Sequence, residues 1–395
     1  MNKLSTIIAV VLLLMCSGVM AKPLKVYIMA GQSNMQGHAR IKTFDHIGMD
    51  PKTAPMLKKM TNEDGSPKIF DDIWISTLGC ARTAVSGKMT AKYGADRAGP
   101  KIGPEFTFGI YMQEFVKEPI LIIKTAWGGK TLSNDFRPPS AGPYRGGQDQ
   151  PDKSEESMAA VKKVEEMRNE TTGHYYRLMM GHIKKVLADI KSVYPDYDAS
   201  QGCEVASFMW LQGCNDFGDY TTYPNAGKPG GYDEYSRLMA TFIKDVRREL
   251  NAPKMPFVIG VLGIKGDVSN DTEDKEVPML ISFRKAMAAP SNMPEFKGNV
   301  AAVHTEKFWE PKLYELQSRW VRVKAKSNEL KKQGLGRSEQ KAVMDEFLKT
   351  VYNPQEWELM EKGVSNAAYH YMGSAKIMAR IGKAFTEAIN DMDDK

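Results

Sequence analysis

Ser33 sits in Gly31-Gln32-Ser33-Asn34-Met35, immediately after the apolar run Leu24–Ala30. A hydroxyl at a glycine turn that leaves a strand and opens a helix is placed to act as a nucleophile, because N–H groups at the helix start can steady an oxyanion. Three later stretches carry complementary groups. They are Gly128 and Gly129 in Ala126-Trp127-Gly128-Gly129; Gln212, Gly213, Asn215 and Asp216 in Trp210–Asp216; and His370, just before the pattern Gly373–Phe385. A nucleophile, amide donors and an imidazole base are the parts of acyl transfer. Each part alone has a plainer reading: a turn at Ser33, a tight strand exit at the glycine pair, a helix cap at Asn215. Among the 6 histidines, His174 and His182 fall in a helical pattern, His38 and His46 lie in a loop region near the serine, and His304 ends a strand.

These residues need a scaffold, and the apolar runs supply one. Leu24–Ala30, Pro119–Ala126, Val205–Gln212, Pro256–Gly263 and Asn299–Thr305 are each nearly continuous, as strands buried on both faces of a parallel sheet should be. Between them, Leu178, Met179, Ile183, Val186, Leu187 and Ile190 recur at helical spacing, as do Tyr235, Leu238, Phe242, Ile243 and Val246. The alternation predicts a three-layer α/β/α sandwich around a five-stranded parallel sheet, with a last amphipathic helix after His370. In open sheets of this kind ligands bind beyond the carboxyl ends of the strands, which is where the suspect residues fall. Residues Arg40–Ile102 and Ser133–Arg168, rich in Gly, Pro and charge, are expected as long loops over one sheet edge. The lysine-rich segment at about 308–363 is expected as a helical insertion, either a solvated hairpin packed on the body or a substrate lid or partner surface.

Competing chemistries fail on residues. Gly-Gly-Lys-Thr at 128–131 resembles a P-loop end, but its first glycine would have to be Lys124. Met35 stands where the G-x-S-x-G elbow needs its second glycine, and H-E-x-x-H is absent from the sequence. The net charge of +6 is spread over interleaved acids and bases, which argues against a nucleic-acid groove. Residues 1–21, with Lys3, an apolar centre, and Val19 and Ala21 before Lys22, read as a cleavable signal peptide; residues 22–395 are then a secreted or periplasmic protein. Met15 before Cys16 does not suit a lipobox. No later stretch is apolar for the ~18 residues of a membrane span. Of 4 cysteines Cys16 leaves with the signal, so at most one disulfide joins Cys80, Cys203 and Cys214, and no zinc spacing occurs.

Taken in order, Gly31–Gly37, Gly103-Pro104-Glu105, Ala126–Gly129, Trp210–Asp216 and the histidine before Gly373–Gly382 resemble the successive blocks of the SGNH/GDSL hydrolases. More narrowly they resemble the sialate O-acetylesterase and carbohydrate esterase family 6 group, with its GQSNM nucleophile motif. The resemblance implies a flavodoxin-like fold and a secreted carbohydrate O-acetylesterase acting through an acyl-serine, with no metal and no cofactor. It implies Ser33 as nucleophile, His370 as general base, and the Ser33 and Gly129 N–H groups with the Asn215 side chain as the oxyanion hole; the narrower group stresses Gln212 instead. Where the superfamily has the aspartate of D-x-x-H, this chain has Ala367. Glu306 or Asp216 is then expected to orient His370, or else a backbone carbonyl does. The remaining alternatives are a non-catalytic glycan-binding protein of the same fold and an esterase of non-carbohydrate esters.

Overall fold

The computed structural model describes residues 22–96, 99–144, 155–271 and 273–393. Residues 1–21, read above as a signal peptide, and part of the Ser133–Arg168 segment lie outside them. The sheet has seven strands: β1 (Leu24–Gly31), β2 (Phe70–Leu78), β3 (Val85–Met89), β4 (Ile120–Ala126), β5 (Cys203–Leu211), β6 (Phe257–Val261) and β7 (Val300–His304), in the order β3-β2-β4-β1-β5-β6-β7. All pairings are parallel except β2 with β3.

Five strands match the continuous apolar runs; β2 and β3 correct the expectation of five. They lie inside the stretch read as loop. β3 is an edge strand with mostly exposed residues, and β2 begins with exposed Asp71 and Asp72 before Ile73–Thr77 become buried. β3 lies at the sheet edge, where continuous apolarity is not needed. β2 is paired on both sides, but only its second half, Ile73–Thr77, is buried, so its apolar stretch is too short and too mixed to stand out. Helix Glu155–Thr171 likewise replaces part of the second expected loop; its mean composition is polar.

Side chains alternate across β1. Val26, Ile28 and Ala30 pack with helices α3 (His174–Ala188), α4 (Asp233–Glu249) and α5 (Val277–Ala288) on one face. Tyr27 and Met29 pack with α2 (Glu105–Val116) and the C-terminal helix α10 (Ala375–Asp393) on the other. Each large apolar side chain buried this way contributes about 1.5–3 kcal/mol. The insertion consists of α6 (Pro311–Ser318), α7 (Trp320–Lys332), α8 (Arg337–Val351) and α9 (Pro354–Gly363). Helices α7 and α8 form the hairpin, while Leu313, Leu316 and Met360 anchor α6 and α9 to the α10 side of the core. Cys80, Cys203 and Cys214 are free thiols. Among the described residues no helix is long and apolar enough to cross a membrane.

The register decides where the loops begin. Gly31 pairs with Ala126 of β4 on one side and with Leu211 of β5 on the other. Three strands therefore end level, and Gln32-Ser33, Trp127–Gly129 and Gln212–Asn215 all leave the sheet at one point. Gly31 is required by close approach, since a Cβ there would lie 2.1 Å from the Leu211 carbonyl oxygen.

Candidate active site

Ser33 opens the short helix α1 (Ser33–Gln36), so its N–H has no intrahelical partner. The preceding Gln32 does not cap that helix. Its side chain crosses to the β5 loop instead: Oε1 accepts from the Gly213 N–H at 2.9 Å, and Nε2 donates to Asn215 Oδ1 at 2.9 Å. Because Asn215 Oδ1 is the acceptor, its NH₂ group faces outward as a donor. Gly128 lies directly over the serine, since a Cβ built on it would be 3.7 Å from Ser33 Cβ and 3.2 Å from Gln36 Oε1. Gly129 is exposed and has φ +73°, a conformation that favours glycine. Ser33 and the two following loops thus leave the sheet at one end of β1, and Gly129 and Asn215 line one cavity there, of about 330 Å³, together with Asn134, Asp135, Arg168 and Asp219.

Helix α1 is held from below by a buried pair that sequence reasoning missed. Lys124, inside the apolar run of β4, has a fully buried side chain and donates to the Gln36 carbonyl (2.8 Å), the Tyr93 carbonyl (2.9 Å) and Glu105 Oε2 (2.7 Å). The other Glu105 oxygen accepts from the Gly103 N–H at 2.9 Å. The Gly103-Pro104-Glu105 block therefore supports the serine helix.

His370 reaches the site on a tight turn packed against α1. Asn34 Nδ2 donates to the Tyr369 carbonyl at 3.1 Å, linking the residue after Ser33 to the residue before His370. Beyond the histidine, Tyr371 and Met372 both adopt left-handed backbone (φ 49° and 60°), a costly conformation for such residues. Burial holds it in place: the Tyr371 hydroxyl accepts from the Gly263 N–H (2.9 Å) and shares a hydrogen bond with Thr305 Oγ1 (2.6 Å).

The group that orients His370 is Asn366. Its Oδ1 accepts from the Ala367 N–H at 2.7 Å and lies 3.0 Å from His370 Nδ1. The backbone donor fixes which amide atom is oxygen, so Nδ1 must carry the proton and Nε2 is left with its lone pair free. Neither expected carboxylate is there. Asp216 is buried and accepts from the Leu132 and Ser133 N–H groups, Gln212 Nε2 and the Tyr223 hydroxyl. Glu306 pairs with His304 at 2.8 Å. Gln212, too, faces inward: its Nε2 donates to Asp216 (2.5 Å) and to the Lys130 carbonyl (3.0 Å), leaving no amide donor for an oxyanion. An i−4 asparagine in the turn before the histidine was the signal available for Asn366.

His38 stacks flat on His370, with ring centroids 3.9 Å apart and planes within 1°. Burial and then the neighbouring His370 push His38 down to about 3. Burial, then the charge of Lys101, pushes His370 down to about 4. With an amide at Nδ1 instead of a carboxylate, nothing counteracts that depression, and His370 is a neutral base at ordinary pH. Burial also pushes the Cys214 thiol up to about 12, which makes it a poor nucleophile.

A mostly parallel α/β sheet thus carries a serine and an amide-bonded histidine near its central carboxyl edge. The chain belongs to the SASA family, carbohydrate esterase, sialic acid-specific acetylesterase, whose family model matches residues 23–307. That match ends before the helical insertion and His370. Two solved structures are similar over 72% of this chain. One is a protein from Arabidopsis thaliana, at 16% identity, 86% coverage of that chain and TM-score 0.41. The other is a carbohydrate acetylesterase from Xanthomonas citri, at 14% identity, TM-score 0.38 and 51% coverage, so this chain spans about half its length. No curated protein matches.

Proposed function

We propose that this protein is an exported carbohydrate O-acetylesterase that works through an acyl-serine. The observation that carries the reading is the hydrogen bond from His370 Nδ1 to Asn366 Oδ1, which leaves Nε2 as a base on the turn against the serine helix. In the first half-reaction Ser33 Oγ attacks the acetyl carbonyl while His370 Nε2 takes its proton. The oxyanion is met by the N–H groups of Ser33 and Gly129 and by Asn215 Nδ2, each such donor contributing ~10²–10³ in rate. Collapse expels the sugar oxygen, which receives the proton from His370. Water then repeats the sequence on the acetyl-serine and releases acetate. The imidazolium is transient, so an amide partner that fixes the tautomer suffices, as a Cys-His-Asn arrangement does in papain-like proteases. The polar cavity beside Gly129 and Asn215 suits sugar hydroxyls better than an acyl chain. Residues 1–21 would direct export.

Ser33→Ala should abolish acetate release from acetylated sugars while circular dichroism and melting stay unchanged, and a fluorophosphonate should label the unaltered protein at Ser33. Undiminished acetate release by the variant would overturn the assignment. Unlabelled, inactive native protein would favour a glycan-binding role.

A further inference from the structure

Outside the serine site, the insertion and the body enclose a second groove of about 650 Å³, bounded by Arg40 and Lys42, by α6, α7 and α9, and by Val364–Ala368. Its aromatic faces are Trp320 and Trp357, with ring centroids 6.4 Å apart and planes 20° apart, together with partly exposed Tyr314. Its charged groups are Arg40, Lys42 and Lys324 against a single carboxylate, Glu361. Lys42 Nζ donates to the backbone carbonyl of Glu361 at 3.2 Å. Among the described residues, Arg40 Nε and Gln317 Oε1 are buried and find no hydrogen-bond partner. A buried donor and a buried acceptor left unpaired are costly, and a polar ligand that satisfies both removes the cost.

We propose that this groove binds an anionic sugar unit bearing a carboxylate or a sulfate ester, at a subsite separate from Ser33. It takes the carbohydrate class from the reading above, although it does not need Ser33 to be catalytic. Aromatic faces accept the apolar face of a pyranose ring, while a few converging polar groups fix its orientation. The excess of cations selects the anionic ring substituent, with Arg40 able to present a planar fork to it. Apart from Arg40 and Lys42, the residues that line the subsite lie beyond residue 307, where the family match ends. It also shares a wall with the catalytic turn: Asn366 lines the groove, and Gln317 Nε2 donates to the Asn366 carbonyl at 2.5 Å.

The test is calorimetric binding to the full chain carrying Ser33→Ala, so that no turnover is needed. The probes are deacetylated oligosaccharides of matched length: an oligogalacturonate, a sulfated galactan fragment and a neutral xylo-oligosaccharide. At least one anionic probe should bind about tenfold or more tightly than the neutral one and weaken as salt is added. Which anionic probe binds assigns carboxylate or sulfate. Arg40→Gln and Lys324→Gln should each weaken binding about tenfold, the scale of one lost charge-assisted hydrogen bond. Lys324 is exposed, so its variant keeps the test decisive if Arg40→Gln does not fold. No binding, equal binding of the neutral probe, or binding unaffected by Lys324→Gln overturns the proposal. If Ser33→Ala still released acetate, the catalytic assignment would fail and this result would stand.

Discussion

Asn366 is the most informative residue to change, because one amide both receives the histidine and fixes its tautomer. Asn366→Ala removes the acceptor of the His370 Nδ1 bond (3.0 Å) and of the Ala367 N–H bond (2.7 Å). The first matters most for rate, since Nδ1–H becomes part of an imidazolium in the transition state. A hydrogen bond to a charged group is worth about 1.5–3 kcal/mol, so kcat should fall by about 10- to 150-fold. That is well short of the ~10⁴ lost when a serine-protease triad loses its carboxylate function. Asn366→Asp keeps an acceptor for both bonds and adds a charge beside the imidazole. His370 should then rise from about 4, and the acid limb of kcat/KM should move up by roughly one to three pH units. The sign follows from the base being active only when neutral, so activity is lost as pH falls through its pKa. Acetate release from an acetylated sugar, followed across the acid range for the three proteins, measures both effects. Native kcat in Asn366→Ala, or an unmoved acid limb in Asn366→Asp, would refute this role for Asn366.

Other outcomes follow from the same geometry. Asn215→Ala should lower kcat by ~10²–10³ with little change in melting, while Gln212→Ala, which strips a donor from buried Asp216, should lower the melting temperature more than kcat. A large kinetic loss in Gln212→Ala at an unchanged melting temperature would return Gln212 to the oxyanion hole. Lys124→Met leaves Glu105 buried without its cation and should cost about 3–5 kcal/mol in denaturant unfolding, partly recovered by adding Glu105→Gln. Failure of the second change to recover stability would show that the lysine's backbone contacts matter more than the pair. Finally, burial holds His38 near 3 and His182 and His370 near 4, all below the ordinary 6.5. The unfolded chain binds more protons between those limits, so stability should be full above about pH 6.5 and fall as pH drops toward 3. A melting temperature that stays flat over that interval contradicts it.

The central strands and most of the candidate site were legible because their signals are local. Leu24–Ala30 and Ile120–Ala126 declare themselves by continuous apolarity, and Ser33, Gly129 and Asn215 by their places just beyond such runs. What was not legible depends on pairing across the chain. β3 takes its identity from β2 as an edge partner, not from its own composition. Lys124 lies inside an apolar run, and its role comes only from Glu105, 19 residues away in the chain. Gln212 and Asp216 read as site residues by position, yet they bond each other and point inward. Asn366 was hidden by the expectation of an aspartate at Ala367: the turn supplies its acceptor one residue earlier, from an amide.

The level ending of three strands has a further implication for how such a site tolerates change. A strand advances about 3.3 Å per residue, so a slip of β1 against β4 by a single position would carry the serine a full hydrogen-bond length from the glycine loop and turn every β1 side chain to the opposite face. The candidate site groups are set by the same backbone ladder that holds the core. Alignment of Ser33 with Gly129 and Asn215 therefore comes with folding, provided that the short exits Trp127–Gly129 and Gln212–Asn215 are kept, and the chain beyond those exits can vary without disturbing it.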